Sequence, residues 1–356
     1  MSNKALIAMS GGVDSSVAAY LLKQAGYACS GAAMQLWRQS TAPGAVPACG
    51  SAEDFEDARR VAAGLGIPFY MFDFTACFRQ EVIEAFITAY QAGETPNPCV
   101  ECNRRLKFAR FYQEAAKLGY NYIATGHYAQ TVYDEQRGRW LLKKAADPAK
   151  DQSYVLYSLT QEQLAHTLFP LGGLNKQEVR RLAEQQGFAN AHKAESQDIC
   201  FVPDGDYAAF IENYTGHTAP PGDFIDTSGR VLGRHKGLIR YTIGQRRGLG
   251  LAMGEPVYVK ELNPQNNTVT VAADKDLYKT ELTVREINLI DRVYIDKPLR
   301  LQVKIRYNQK AQWASVSQKN ADELHIIFEE PQKAIAKGQA AVIYDGDIVV
   351  GGGRIA

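Results

Sequence analysis

Nowhere in this chain of 356 residues is there an apolar run long enough to span a bilayer, and the first residues offer only a short apolar segment with no cleavage-site pattern. A membrane or secretory protein is therefore not expected, and the cytoplasm is. Cysteine is sparse. Cys29, Cys49, Cys77, Cys99, Cys102 and Cys200 do not make a disulfide framework in a chain this long. A surplus of one charge is also missing: 40 Lys and Arg stand against 39 Asp and Glu, net +1, so a nucleic-acid partner has to be held by local patches. Internal repeats, long low-complexity tracts and coiled-coil patterns are absent, which makes a monomer the expectation. One further absence concerns nucleotides. The glycine-rich loop near the start is not followed by the lysine that G-x-x-x-x-G-K-[ST] demands, so kinase- or GTPase-like phosphate binding is excluded there.

What is present is an ordinary globular composition, 46% hydrophobic and 22% charged, in a chain long enough for two or three domains. It is organised around Ala8-Met9-Ser10-Gly11-Gly12-Val13-Asp14-Ser15-Ser16. Residues 4–9 read as a buried parallel strand, and Val17, Ala18, Tyr20, Leu21 and Leu22 recur at helical spacing up to Gly26. A loop between strand and helix points backbone N–H groups inward, and the helix dipole adds positive potential at the same place. Ser10, Ser15 and Ser16 add hydroxyls, and Asp14 can cap the helix or help hold Mg²⁺. This is a phosphate cradle.

Further along, 27–34 reads as a second strand that brings Met34 to the carboxyl edge, where doubly wound sheets bind ligands. The Pro/Gly/Ala-rich run 41–50 reads as a loop, Ser51 opens a helix, 68–74 is a third strand and 81–90 a helix. Thr95-Pro96-Asn97-Pro98-Cys99-Val100-Glu101-Cys102 is a proline-stiffened entry to a basic helix. Cys102 falls near that helix's N-terminus, where the dipole and Arg104, Arg105 and Lys107 favour a thiolate. The spacing of Cys99 and Cys102 equally suits redox chemistry, half a zinc site or iron–sulfur ligation. The strand 122–128 ends at Gly126, which permits close approach, and His127, a donor for a phosphate or base. A helix is expected over 178–186. Alternating strands and helices to this point indicate a parallel sheet covered on both faces.

Past Pro203 the texture changes. Arg230, Arg234, Lys236, Arg240, Arg246 and Arg247 occur with no acid among them, a phosphate-tracking patch. From about 281 onward, alternating runs at 299–307, 313–317, 324–328 and 340–344 and a turn at Asp345-Gly346 read as a small β-barrel.

The segment from Ser10 to Ser15 resembles the S-G-G-x-D-S pyrophosphate loop (PP-loop) of the ATP pyrophosphatases. Several other segments accompany it: Thr95-Pro96-Asn97-Pro98 with Cys102-Asn103, Ala124-Thr125-Gly126-His127-Tyr128, Lys150-Asp151-Gln152-Ser153-Tyr154, Cys200-Phe201, Gly244-Gln245-Arg246-Arg247-Gly248 and Gly351-Gly352-Gly353. With them the chain resembles, nearly end to end, the bacterial tRNA 2-thiouridylase family. That resemblance implies an α/β fold: a doubly wound PP-loop catalytic domain (adenine nucleotide alpha hydrolase-like) over 1–202, a small central tRNA-binding domain over 203–276 and a C-terminal β-barrel over 277–356. It implies ATP-dependent adenylation of the C2 oxygen of the wobble uridine, position 34, in tRNAs for Lys, Glu and Gln, then sulfur insertion at C2. It implies ATP contacts from Ala8, Met9, Ser10, Gly11, Gly12, Val13, Asp14, Ser15, Met34 and Gly126, with Mg²⁺ on the phosphates. By the same likeness Cys102 is the nucleophile, Cys200 the persulfide carrier, and the two form a transient disulfide. Asn97, Pro98 and Cys99 match the loop that meets the target base. His127, Lys150, Asp151, Gln152, Arg306, Tyr307 and Gln339 match tRNA-contacting positions. A cysteine desulfurase or sulfur-relay protein is the implied donor.

One position departs from the pattern. Some members carry Asp where this chain has Cys99, so an acid/base role assigned there needs another group. Cys99, Cys102 and Cys200 could instead hold a [4Fe–4S] cluster. Two further readings compete: an amidating PP-loop enzyme, which lacks any visible ammonia source here, and a non-catalytic RNA-binding protein, which leaves the loop unexplained.

Overall fold

The structure, a computed structural model, describes residues 3–37, 50–193, 199–202 and 204–356. Residues 41–49 of the loop expected over 41–50, Cys49 included, and Glu195 to Asp198 lie outside the described residues. The N-terminal part supplies β1 (Lys4–Ala8), β2 (Ala28–Gln35), β3 (Phe69–Asp73) and β4 (Tyr122–Ala124). A hairpin, β5 (Gln130–Asp134) with β6 (Arg139–Lys143), and the short β7 (Thr167–Leu168) follow. Five of these form one parallel sheet in the order β3-β2-β1-β4-β7. Its apolar strand centres need cover on both sides. Leu6 and Ala32 face one buried cluster with Phe78, Phe86, Phe108 and Phe111, whereas Ile7 and Met9 face another with Ala58, Val61 and Ala62.

The order reverses between β1 and β4, so the carboxyl ends of these two strands splay apart and leave a crevice between the loops that follow them. Helix α1 (Val13–Gln24) starts at that crevice with Gly12 as its N-cap. Helix α2 (Ala52–Gly64) starts beside it with a full capping box, in which Ser51 Oγ accepts from the Asp54 N–H and the Asp54 carboxylate accepts from the Ser51 N–H. A continuous helical stretch then runs from Pro98 through Lys117, with a widened π-type centre at Cys102–Arg110.

The central part forms a four-stranded sheet from β8 (Gly222–Ile225), β9 (Val231–His235), β10 (Tyr258–Asn263) and β11 (Thr268–Ala272). The C-terminal part supplies β12 (Tyr278–Leu289), β13 (Leu299–Lys304), β14 (Gln312–Asn320), β15 (Glu323–Lys333), β16 (Ala340–Asp345) and β17 (Ile348–Ile355). Pairing of β12 with both β15 and β17 closes these into a barrel around Val284, Val303, Val316, Ile326 and Ile343. The tight turn lies one residue later than the sequence indicates: Asp345 pairs with Ile348, which leaves Gly346 and Asp347 as the loop.

The barrel does not stand apart. Strand β6 of the N-terminal part pairs with β17 and extends the barrel sheet to eight strands. Asn288 donates from Nδ2 to the carbonyls of Tyr157 (2.8 Å) and Leu159 (2.9 Å), and Tyr154 Oη donates to the Ala340 carbonyl (2.8 Å). Replacing Asn288 by Ala strands two carbonyls at this seam, so stability should fall by about 1–3 kcal/mol in denaturant unfolding. An unchanged midpoint would mean that water takes over both bonds.

Candidate active site

Gly11 sits at φ +75°, and a Cβ on it would lie 2.3 Å from the carbonyl oxygen of Asp54, so only glycine lets the loop pass this close to α2. The serines behave differently from expectation. Ser15 and Ser16 turn inward, and their hydroxyls donate to the Gly12 carbonyl at 3.0 and 3.1 Å. Asn190 Nδ2 donates to Gly11 O and to Ser16 Oγ, both at 2.9 Å. These hydroxyls hold the shape of the cradle, while Ser10 stays exposed at its mouth. Val13 buries its side chain among Val17 and Leu171, so it has only backbone to offer a ligand.

Asp14 neither caps α1 nor stands ready as an unengaged metal ligand. Its carboxylate accepts from Lys176 Nζ (2.7 and 2.8 Å) and from Tyr128 Oη (2.7 Å). The cation missing after the glycines thus arrives from 162 residues further along the chain. Lys107 brings a second. Together with Ala8, Met9, Ser10, Asp14, Ser15, Met34, Thr125, Gly126, His127 and Gln152 it lines a cavity of about 200 Å³ at the crevice. Phe55 and Leu36 complete an apolar wall beside Met34. An anion at the loop, a flat apolar group against Met34 and Phe55 and a cation between them are what a nucleotide triphosphate requires. Lys176, Asn190 and Phe55 escape the sequence reading, because no local spacing links them to the loop, and Lys107 enters that reading only as a cation near Cys102, not as part of this cavity.

His127 lies on this cavity wall with its Nδ1 2.8 Å from Thr125 Oγ1. Burial, with the charge of Lys107 added, holds its imidazole well below the usual histidine range, so it is neutral at pH 7. Gln152 is tied to Tyr128 in both directions, accepting from its N–H through Oε1 and donating its own N–H to its carbonyl, each at 2.9 Å.

Asn97 caps the cysteine-bearing helix, its Oδ1 accepting from the Cys99 N–H (3.1 Å) and the Val100 N–H (3.4 Å). Pro98 is the first helical residue, which puts exposed Cys99 second and Cys102 fifth, one turn deeper than the N-terminal amides. Cys102 is 7% exposed. The surrounding cations are not all directed at it, since Arg104 and Arg105 both turn to Glu101, at 2.8 and 2.9 Å. Cys200 and Phe201 pack on the same apolar cluster as Cys102. Among the described residues no three His, Cys, Asp or Glu side chains gather to hold a metal ion, and nothing in the arrangement of Cys99, Cys102 and Cys200 supports the iron–sulfur alternative. Burial pushes the Cys29 thiol up to about 11, away from reactivity.

The positions matched to tRNA contact are spread over four places, of which the nucleotide cavity, with His127 and Gln152, is one. Asp151 and Tyr307 line an open cleft with Lys144, Lys304 and Lys310, and Lys150 lies beside Asp151 in the chain. Gln339 donates to the Thr95 carbonyl (2.9 Å), joining the barrel to the proline loop. Arg306 is a strut, its Nη2 donating to the carbonyls of Ile243 (3.0 Å) and Ala334 (2.9 Å). In the basic run, Arg230, Arg234 and Arg240 are paired with Asp226, Asp223 and Glu212. The uncompensated patch read from the sequence thereby shrinks to Lys236, Arg246 and Arg247 among the described residues.

A parallel sheet with a glycine–serine loop at its switch point, a nucleotide-sized crevice there and a cysteine-bearing helix beside it defines a PP-loop α/β protein that uses ATP. Residues 3–204 match the family model described as tRNA methyl transferase HUP domain, 208–273 the tRNA methyl transferase PRC-barrel domain, and 279–355 the aminomethyltransferase beta-barrel domain. The tRNA-specific 2-thiouridylase MnmA of Clostridioides difficile (strain 630) is 49% identical over 355 residues, 100% of this chain and 98% of that protein. The protein of the same name from Moorella thermoacetica is 49% identical over 351 residues, 98% of each. The chain belongs to the tRNA-specific 2-thiouridylase family. Among solved structures, a 4-thiouridine synthetase–RNA complex with bound ATP aligns at TM-score 0.37 and 17% identity over 60% of this chain and 50% of that one, too slight a likeness to carry an argument.

Two measurements check this geometry. A Cβ on Gly126 would lie 2.8 Å from the Ser15 amide nitrogen and close the gap between β4 and the loop. Gly126→Ala should therefore weaken ATP binding by at least about tenfold, or ~1.4 kcal/mol, in calorimetry; an unaltered Kd would show that the nucleotide lies elsewhere. For His127, the unfolded chain takes up a proton near pH 6.5 where the folded one does not. Its contribution thus rises with pH up to about 6.5 and is lost as pH falls below it, at up to about 1.4 kcal/mol per unit. Between pH 7.5 and 5.5, His127→Gln should lose less stability than the parent chain, and equal losses would refute the neutral assignment.

Proposed function

We propose that this protein is a tRNA 2-thiouridylase that activates C2 of the wobble uridine with ATP and replaces its oxygen by sulfur. The observation that carries this reading is a single helical stretch. It begins at Asn97 and Pro98, carries Cys102, and reaches the nucleotide cavity with Lys107, so target loop, nucleophile and phosphate cation lie within about three turns of one another.

The uracil C2 oxygen is a poor leaving group. Its attack on the α-phosphorus of ATP forms an adenylate, and pyrophosphate departs into the loop, where the α1 N-terminus, Lys107 and Lys176 stabilise its charge. Mg²⁺ would ride on the phosphates, with Asp14 the carboxylate on the cavity wall. Neutral His127 can donate a hydrogen bond without titrating. Sulfur arrives as a persulfide on Cys200. In one version its terminal sulfur attacks C2, AMP leaves, and the Cys102 thiolate attacks Cys200 Sγ to release the thiocarbonyl. In the other, Cys102 first expels hydrosulfide from the persulfide, and hydrosulfide attacks C2. Both leave a Cys102–Cys200 disulfide, which two electrons from an external reductant return to thiols. Both also need the uridine taken out of its stack, and the Asn97–Pro98 turn with Cys99 is the surface that would receive it.

His127, Lys150, Asp151, Gln152, Arg306, Tyr307 and Gln339 are proposed tRNA contacts, with the lysine-lined cleft following the phosphate backbone. A cysteine desulfurase or relay protein would load Cys200, in the cytoplasm and on a monomer. The domain limits 1–202, 203–276 and 277–356 belong to the same proposal.

Cys200→Ser should abolish thiolation, by more than about a thousandfold given that nucleophile loss removes several kcal/mol, yet keep tRNA-dependent exchange of labelled pyrophosphate into ATP. Cys102→Ser should do the same. Thiolation surviving in either variant would remove that cysteine from the chemistry. Exchange that needs a small-metabolite acceptor instead of tRNA would favour the amidating class.

A further inference from the structure

One buried side chain next to the proposed nucleophile takes no part in the chemistry so far. Asn103 is 2% exposed, and its Nδ2 donates to the Val155 carbonyl at 3.0 Å. Val155 lies in the short helical turn Ser153–Leu156, and its own N–H donates to the Gln152 carbonyl at 3.1 Å. Gln152 is tied to Tyr128, and Tyr128 Oη donates to Asp14 at 2.7 Å. Hydrogen bonds therefore run from the phosphate loop to the residue after Cys102. The other half of the amide is unanswered: Asn103 Oδ1 is buried with no partner. A buried acceptor left unmet lowers stability, so stability alone does not account for an asparagine here. The helix is unusual at the same point. Cys102–Arg110 is π-type, its backbone bonds closing over five residues, and Asn103 is the second residue of it. In a regular α-helix Cys102 and Lys107 would stand about 140° apart around the axis. The wider turn brings residues five apart toward one side, and Lys107 lines the nucleotide cavity.

We infer that Asn103 is a positioning residue. Through the Val155 carbonyl it holds the π-type register that turns Cys102 toward the side of the helix facing the nucleotide. The inference rests on the proposed role of Cys102 and adds the residue that sets its place. Asn103 does not line the nucleotide cavity, so ATP binding and adenylation do not depend on it directly. Nor does the loading of Cys200: Phe201, the next residue, is held edge-on by Phe78 and Phe86, with ring centroids 5.7 and 5.2 Å away. What Asn103 governs is the distance from the Cys102 thiol to its reaction partners, on which the sulfur step depends steeply.

The test uses the full chain with Asn103→Leu, which keeps the size and removes the donor, and Asn103→Ser, which keeps a donor on a shorter arm. Single-turnover thiolation is followed at saturating ATP and tRNA, with Cys200 already carrying its persulfide. Asn103→Leu should be slowed at least about thirtyfold, within the hundredfold that a misplacement of about 1 Å can cost. ATP affinity and tRNA-dependent pyrophosphate exchange should stay within about threefold of the parent, and Asn103→Ser should fall between the two in thiolation rate. In parallel, alkylation of Cys102 by iodoacetamide in the ATP-bound chain, located by mass spectrometry, should speed up at least about threefold in Asn103→Leu. If that variant does not fold, the same comparison is made with Asn103→Ser. A merely structural role would lower ATP affinity, exchange and thiolation together, and that result overturns the inference. So does a variant whose thiolation, or whose alkylation at Cys102, matches the parent, or an Asn103→Ser no faster than Asn103→Leu. If the parent chain thiolates no tRNA, it is the proposed activity that fails, and the alkylation rates alone decide on Asn103.

Discussion

The phosphate loop works because a carboxylate inside it is answered by an amine from far away. Asp14 sits in the first turn of α1, where its charge suits the helix dipole but would oppose an incoming triphosphate. Lys176, only 11% exposed, neutralises it, and Tyr128 takes the remaining hydrogen bond. This arrangement fixes more than charge. It joins α1 to the helix Lys176–Gln185 and to the loop after β4, so the three segments around the crevice are set relative to one another before any ligand arrives. Asn190 reinforces the frame from the same C-terminal side by holding Gly11 and Ser16.

Around that frame the three parts of the chain are knit more closely than a string of separate modules. One apolar cluster includes Phe86 and Phe108 of the catalytic part, Ile211 and Ile239 of the central part, and Val342 and Tyr344 of the barrel. The seam carries polar contacts as well, such as Gln339 to Thr95 and Arg139 Nε to the Ile290 carbonyl at 2.8 Å. The proline loop is thereby braced from the barrel side, while its helix reaches the nucleotide from the other.

Local pattern carried the strands, the phosphate loop and the barrel, because burial on one or two faces writes directly into apolar spacing. The β1–loop–α1 unit and the alternation of β13 are examples. What spacing cannot convey is which distant side chain closes a charge. Lys176 looks like any surface lysine at the start of a helix, and the run from Arg230 to Arg247 looks wholly cationic until the fold supplies Asp226, Asp223 and Glu212. The serines were misleading for a related reason: a hydroxyl in a tight turn is as able to bond the turn's own carbonyl as a ligand. Cys102 shows the limit of helix arithmetic, since a helix that begins at Pro98 buries it a turn beyond the dipole's free amides.

The pairing of β6 with β17 has a consequence for how the molecule comes apart. A chain cut short before the barrel would leave β6 as a bare strand edge, with the backbone groups that now meet Ile348 and Val349 turned outward. Unprotected edges of that kind invite pairing with a second copy. The nucleotide-binding half is therefore poorly suited to an independent existence. Truncations from the C-terminus should yield sticky, self-associating fragments instead of a smaller working unit.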